Sequence, residues 1–84
     1  MKHIEYRTSG TCSRKIEFDL NDNGTVCNVR FEGGCNGNLP GISALCEGMP
    51  AQQLITKLEG TCCGFKSTSC PDQLARALKE ACAD

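Results

Sequence analysis

Hydrophobic and polar residues alternate along the first third of the chain, which is the pattern of β-strands with one buried face. The alternation first appears at Ile4 and Tyr6, and it is more regular at Ile16, Phe18 and Leu20. The residues between these apolar positions are mostly charged. We therefore predict two strands in this region, each with one face directed towards the core.

A turn and a third strand are predicted next. Asn21-Asp22-Asn23-Gly24 contains residues that tolerate the positive φ angles of a tight hairpin. Residues 25–32 alternate again and divide between two faces: Cys27, Val29 and Phe31 inward, and Val26, Asn28 and Arg30 outward. The pattern predicts an antiparallel hairpin, extended by the N-terminal segment to three strands.

The period of the apolar positions becomes helical after the glycine- and asparagine-rich residues 33–38. Three helices are predicted, with apolar stripes at Leu39, Ile42, Leu45 and Cys46, then at Leu54, Ile55 and Leu58, and finally at Leu74, Leu78 and Cys82.

Turn and capping residues mark the ends of these helices. Gly48 ends the first helix, Pro50 opens the second and Gly60 closes it. The third opens at Ser69-Cys70-Pro71-Asp72, where Ser69 and Asp72 match the pattern of a capping box. The predicted fold class is α+β: an N-terminal antiparallel β-hairpin or three-stranded sheet followed by three short helices, in a single domain over residues 1–84.

Composition narrows the classes of function. Of the 84 residues, 39% are hydrophobic and 23% charged, with a net charge of -1. The basic residues are scattered, whereas nucleic-acid binding needs a clustered basic face, and no apolar run reaches the roughly 18–20 residues of a membrane span. No carboxylate pair or Ser/His/Asp set suggests hydrolysis, and His3, the only histidine, is interpreted as a solvated strand residue.

Eight cysteines in 84 residues are the strongest chemical signal. Residues 1–7 contain neither the apolar core of a signal peptide nor a small-residue cleavage site. We therefore expect a cytoplasmic protein with reduced thiols. This expectation favours metal ligation or redox chemistry over a framework of disulfides.

The predicted elements divide the cysteines into two groups. Three share apolar stripes and are predicted to pack as small hydrophobic side chains: Cys27, Cys46 and Cys82. The other five lie in loops rich in glycine, serine and threonine, or at a helix start: Cys12, Cys35, Cys62, Cys63 and Cys70. Cysteines without a packing role require a chemical one.

Four loops thus supply thiols, and four thiolates enclose a zinc ion or hold an iron–sulfur cluster. Cys70 stands at a predicted helix N-terminus, where the helix dipole lowers the pKa of a thiol. The hydroxyls of Thr68 and Ser69 are candidate donors to it. No Cys-x-x-Cys pair is present, so spacing alone leaves a metal site, thiol-redox chemistry and purely structural thiols open.

Several stretches together resemble a known family: Cys12-Ser13, Gly33-Gly34-Cys35-x-Gly37-Asn38, Cys63-Gly64 and Thr68-Ser69-Cys70-Pro71-Asp72-Gln73-Leu74-Ala75. Over nearly its whole length the chain resembles the small, stand-alone TSCPD-domain proteins of bacteria. A related domain lies at the C-terminus of adenosylcobalamin-dependent ribonucleotide reductases. The resemblance implies that four marker cysteines ligate zinc or an iron–sulfur cluster, namely Cys12, Cys35, Cys63 and Cys70. It also implies a ribonucleotide reductase or another redox enzyme as partner.

Two other functions remain open. In a thiol-redox protein, Cys70 would attack and Cys63 or Cys62 would resolve the mixed disulfide. In a binding module, the backbone amides of residues 33–38 would hold the phosphate of a nucleotide or flavin. The Gly-x-Gly-x-x-Gly fingerprint of dinucleotide-binding proteins is missing.

Overall fold

Three strands followed by three helices form the protein in the computed structural model, which describes residues 1–8, 13–33, 38–60 and 69–83. The strands are β1 (Lys2–Arg7), β2 (Ser13–Leu20) and β3 (Val26–Gly33), and the helices are α1 (Asn38–Cys46), α2 (Ala51–Leu58) and α3 (Cys70–Ala83). This order confirms the α+β prediction. Within the described ranges, no helix has the length and apolar character needed to cross a membrane.

The sheet is antiparallel, with the strands in the order β1-β2-β3. The predicted turn joins β2 to β3: Gly24 N donates to Asn21 O at 2.9 Å, and Asn21 N donates to Thr25 O at 2.9 Å. Gly24 has a φ of 85°, which glycine adopts without the steric cost of a Cβ atom. The local sequence thus determines the hairpin.

A β-bulge interrupts the regular pairing of β3. Glu17 pairs with Arg30 and Asp19 pairs with Cys27, so β3 has one more residue than β2 between these pairs. Asn28 lies in this bulge with a φ of 56°. Its Nδ2 donates to Asp19 Oδ2 at 2.9 Å, which holds the bulge against the neighbouring strand.

The extra residue changes which side chains of β3 face the core. Val26 and Val29 are both buried, because a bulge shifts the alternation by one position. Cys27 is half-buried, and its Sγ lies 3.8 Å from Asn21 Oδ1. The prediction that Cys27 points inward and Val26 outward is therefore wrong.

The helices cover one face of the sheet. α1 packs against β3, α3 packs against β2, and α2 packs against α3. The apolar side chains between them form one core: Ile16, Phe18, Val26, Val29, Cys46, Ala51, Leu54, Ile55, Leu74, Ala77, Leu78 and Ala81. The predicted stripe of α2 lies in or against this core, as do Leu74 and Leu78 of α3.

The apolar stripe of α1 differs from the prediction at Leu45. Successive helical residues are rotated by about 100°, so Cys46 lies about 20° from Leu39 around the helix and Leu45 about 120° from it. Cys46 is accordingly buried, whereas Leu45 is 76% exposed. Burial raises the pKa of the Cys46 thiol, which agrees with the predicted packing role.

The stripe of α3 differs in the same way at Cys82. Around the helix Cys82 lies about 80° from Leu74, whereas Ala81 lies about 20° from it. Ala81 is buried and Cys82 is exposed. The prediction that Cys82 packs in the core is therefore wrong.

The outer face of the sheet carries charged side chains that pair across the strands. Lys15 Nζ lies 2.8 Å from Glu17 Oε1 and 3.3 Å from Glu5 Oε1, and hydrogen bonds to these two carboxylates raise the pKa of Lys15. His3 Nδ1 lies 2.7 Å from Asp19 Oδ1. Across the described ranges, no three or more His, Cys, Asp or Glu side chains are grouped to hold a metal ion. These charged side chains pair with one another.

The pKa of His3 is expected to exceed its ordinary value of 6.5, chiefly because Asp19 hydrogen-bonds the ring. Since the folded pKa is raised, the stabilisation is fully present below pH 6.5 and is lost as the pH rises through the folded pKa. An NMR titration of Asp19→Asn should return the pKa of His3 towards 6.5. Glu32→Gln is the control, because Glu32 pairs with Lys15. An unchanged pKa in Asp19→Asn would contradict this account.

Candidate functional site

Cys70 is the first residue of α3, and it is 6% exposed. Ser69 caps the helix, since the backbone N of Asp72 donates to Ser69 Oγ at 3.2 Å. Pro71 lies in the first turn, where an N–H group would have no intrahelical partner. This is the predicted helix start. It places the Cys70 thiol at the positive end of the helix dipole.

A serine from the sheet contacts this thiol. Ser13 Oγ lies 3.1 Å from Cys70 Sγ, and both residues are buried. Either group can donate while the sulfur is protonated. Once the sulfur is a thiolate, only the hydroxyl can donate, so Ser13 is placed to stabilise the ionised form.

A second β-bulge directs Ser13 to the inner side of the sheet. Ser13 pairs with Gly33 and Lys15 pairs with Glu32, so β2 has one more residue than β3 between these pairs. Strict alternation from the buried Ile16 would place Ser13 on the outer face. The bulge reverses this, and Ser13 is 4% exposed.

The sequence did not reveal Ser13 as a partner of Cys70. It suggested the hydroxyls of Thr68 and Ser69. Thr68 lies outside the described residues, and Ser69 Oγ accepts the hydrogen bond that caps α3. The available signal was that Ser13 directly follows Cys12, one of the predicted ligands.

A buried carboxylate connects the end of α2 to the start of α3. Asp72 is 4% exposed, and its Oδ1 accepts a hydrogen bond from Gly60 N at 2.7 Å. Its Oδ2 lies 3.1 Å from Arg76 Nε. The sequence predicts that Asp72 caps α3. Its backbone N–H belongs to the cap, and its carboxylate also reaches the residue that follows the preceding helix.

The fold and the run around Cys70 agree with one family model, described as the TSCPD domain, which matches residues 2–82. The chain belongs to the TSCPD-domain family. The match covers every strand and all of the helices except the last residue of α3. The resemblance on which the four marker cysteines were selected is thereby confirmed. No curated protein and no solved structure matches the chain.

The described residues of this TSCPD domain include one of its four predicted metal ligands. Cys70 lies at the start of α3, whereas Cys12, Cys35 and Cys63 lie outside the described residues, as does Cys62. Most of the residues predicted to hold a phosphate, 33–38, also lie outside them. The assignment of the other three ligands therefore stays a prediction.

Three further cysteines of the TSCPD domain are free thiols at separate places in the fold. Cys46 lies in the core, Cys27 is half-buried at the bulge of β3, and Cys82 is exposed on α3. None of the three lies in the run that identifies the family. Among the described cysteines, Cys70 alone lies in that run.

Proposed function

We propose that this TSCPD domain binds one zinc ion or one iron–sulfur cluster through the thiolates of Cys12, Cys35, Cys63 and Cys70. The observation that carries the proposal is the buried contact of 3.1 Å between Cys70 Sγ and Ser13 Oγ. A buried charge is costly unless it is paired or hydrogen-bonded. A metal ion together with the Ser13 hydroxyl would satisfy a thiolate at this position.

The surroundings of Ser13 favour Cys12 and Cys35 as further ligands. Cys12 directly precedes Ser13 in the chain, so their Cα atoms are about 3.8 Å apart. Gly33 pairs with Ser13 in the sheet and precedes Cys35 by two residues. Chain connectivity therefore keeps the Cα atom of Cys35 within about 7.6 Å of that of Gly33.

The contact between α2 and α3 favours Cys63 in the same way. Gly60 N is hydrogen-bonded to Asp72, which lies two residues after Cys70. Cys63 follows Gly60 by three residues, so their Cα atoms are at most about 11 Å apart. Ser13 and Gly60 thus contact the first turn of α3, and Gly33 pairs with Ser13 in the sheet.

The four proposed thiolate ligands determine which metal or cluster this site would hold and what it would do. Four thiolates suit zinc, and they also suit an iron–sulfur cluster. A zinc ion with four sulfur ligands has no open position for water and would stabilise the fold. A cluster would transfer electrons. In either case the Ser13 hydroxyl would act as a hydrogen-bond donor to one ligand, as residues around metal ligands commonly do.

A thiol-redox reaction of Cys70, with Cys63 or Cys62 as the resolving thiol, is the alternative. The helix N-terminus and the Ser13 hydroxyl favour it, because both stabilise a thiolate. Burial argues against it: an attacking thiol needs access to its substrate, and Cys70 is 6% exposed. We therefore favour the metal site.

Metal analysis of protein purified without oxygen tests the proposal. We expect one zinc ion or one cluster per chain, and visible absorption separates them because zinc thiolates are colourless. Cys70→Ser should lose the metal, because a hydroxyl replaces a thiolate ligand. Cys82→Ser is the matched control on the same helix, since Cys82 is exposed, and it should retain the metal in full.

Two outcomes would contradict the metal site. Wild-type protein that contains neither zinc nor iron would favour the redox alternative. Equal metal content in Cys70→Ser and Cys82→Ser would show that the metal is bound elsewhere. Circular dichroism establishes that each variant is folded, and Cys35→Ser provides a second ligand variant should Cys70→Ser not fold.

A further inference from the structure

We infer that Asp72 is a positioning residue for this metal site, an inference that rests on the proposed function. Its carboxylate holds Gly60, at the end of α2, against the first turn of α3. Residues 61–68, which include Cys63, connect these two points. The ends of the segment that carries one ligand are thereby held beside Cys70.

The geometry around Asp72 joins three parts of the chain. Oδ1 accepts from Gly60 N at 2.7 Å, across a separation of 12 residues. Oδ2 lies 3.1 Å from Arg76 Nε, one turn further along α3. The backbone N of Asp72 donates to Ser69 Oγ at 3.2 Å, so the carboxylate projects from a capped helical turn.

Because Asp72 is buried, its carboxylate needs hydrogen-bond or charge partners within the protein. A buried carboxylate is strongly destabilising unless its oxygen atoms are hydrogen-bonded or paired. Both oxygens of Asp72 have partners in this chain, an amide and a guanidinium. The connection therefore forms with the fold itself and does not depend on the metal.

Held ends matter because Cys63 lies in the segment between them and would bind the same ion as Cys70. A segment with one loose end samples more conformations, and this entropy is lost when Cys63 and Cys70 bind the same ion. Held ends reduce the loss. Releasing Gly60 should therefore weaken metal binding without removing any ligand, on the order of 10–100-fold, the range typical of residues that orient metal ligands.

The chain offers a matched control for this contact. Glu59 Oε1 and Lys79 Nζ form an ion pair that also connects the end of α2 to α3. This pair is about half exposed, with side-chain exposures of 49% and 50%. Glu59→Gln removes the ion pair between the same two helices and leaves the bond between Gly60 and Asp72 in place.

The experiment compares the affinity of wild type, Asp72→Ala, Asp72→Asn and Glu59→Gln for zinc, by anaerobic competition with a chromophoric chelator. Asp72→Ala removes both acceptors, and asparagine keeps the size of the side chain with a single oxygen. We expect the 10–100-fold loss in Asp72→Ala, a smaller loss in Asp72→Asn and none in Glu59→Gln. In metal-free wild type, the Gly60 amide should be protected from hydrogen exchange, and this protection should be lost in Asp72→Ala.

The outcomes separate the inference from the proposed function. Wild type that binds no zinc and no cluster overturns the proposed function. Wild type that binds while folded Asp72→Ala or Asp72→Asn binds equally well overturns the positioning role, even if the variant is less stable, because a merely structural residue would change stability alone. An equal loss of affinity in Glu59→Gln also overturns it. Asp72→Asn keeps the comparison decisive if Asp72→Ala does not fold.

Discussion

Restoring the metal to reduced, metal-free protein is expected to raise the Tm by roughly 10–20 °C. A ligand that binds only the folded state stabilises it by about 2.7 kcal/mol when the free ligand is about 100-fold above Kd. For a domain of 60–100 residues, each kcal/mol corresponds to about 4–8 °C. The chain has 84 residues, so the effect is large for this protein. Thermal unfolding followed by circular dichroism, with and without chelator, measures it.

Cys82→Ser is again the control for Cys70→Ser, since both substitutions lie on α3. Cys82→Ser should show the full rise in Tm on metal addition, because Cys82 is exposed and outside the proposed site. Cys70→Ser should show little or none. A rise of the same size in both variants would contradict the ligand assignment, and the absence of a rise in wild type would contradict the structural contribution of the metal.

Phe18→Ala is expected to lower the free energy of unfolding by about 3–5 kcal/mol. Phe18 lies in β2, is fully buried at 0% exposure, and is among the largest side chains of the core. Removing the ring loses the free energy gained by burying its apolar surface. It also leaves a cavity that the surrounding side chains of a small core fill only in part. Because domains are stable by only roughly 5–15 kcal/mol in total, urea denaturation should show the midpoint shifted far towards lower concentration.

Leu45→Ala is the matched control for the core substitution. Leu45 belongs to a predicted apolar stripe, but its side chain is 76% exposed on α1. Its replacement should change the free energy of unfolding by no more than about 0.5 kcal/mol. A loss of 2 kcal/mol or more, within the range of about 2–5 kcal/mol for a buried leucine, would show that a partner covers this face of α1 in solution.

The local sequence was sufficient to predict the backbone wherever the interactions that fix it lie within one short segment. Asn21 to Gly24 form the predicted hairpin turn because Gly24 tolerates a φ of 85°. Ser69 and Pro71 begin α3 at the predicted position because the serine side chain accepts an amide of the first turn. In such cases the residues that make the interaction are four or fewer positions apart along the chain.

The pattern of apolar residues correctly predicted most of the core. Its errors had two different origins. Counting along the helices included Leu45 and Cys82, which lie at the edges of the apolar stripes and are exposed. For Cys27 and Val26 the error had another origin. The bulge at Asn28 depends on how β3 pairs with β2, and no pattern within β3 reveals it.

The candidate site was also predicted only in part from the sequence. The sequence identified Cys70 at a helix start, and the family resemblance identified the other three marker cysteines. It did not identify Ser13 as the neighbour of Cys70, because the two residues are 57 positions apart and a bulge turns Ser13 inward. Nor did it reveal that the Asp72 carboxylate reaches Gly60.

By itself, then, the sequence determined the order and type of the elements, the turn, the start of α3 and the membership of the TSCPD-domain family. These follow from backbone preferences and side-chain periodicity, which act over a few residues. Only the tertiary structure decided that Val26 replaces Cys27 in the core, that Ser13 contacts Cys70, and that Asp72 joins two helices. These contacts depend on strand register and helix packing, which bring together residues that are distant along the chain.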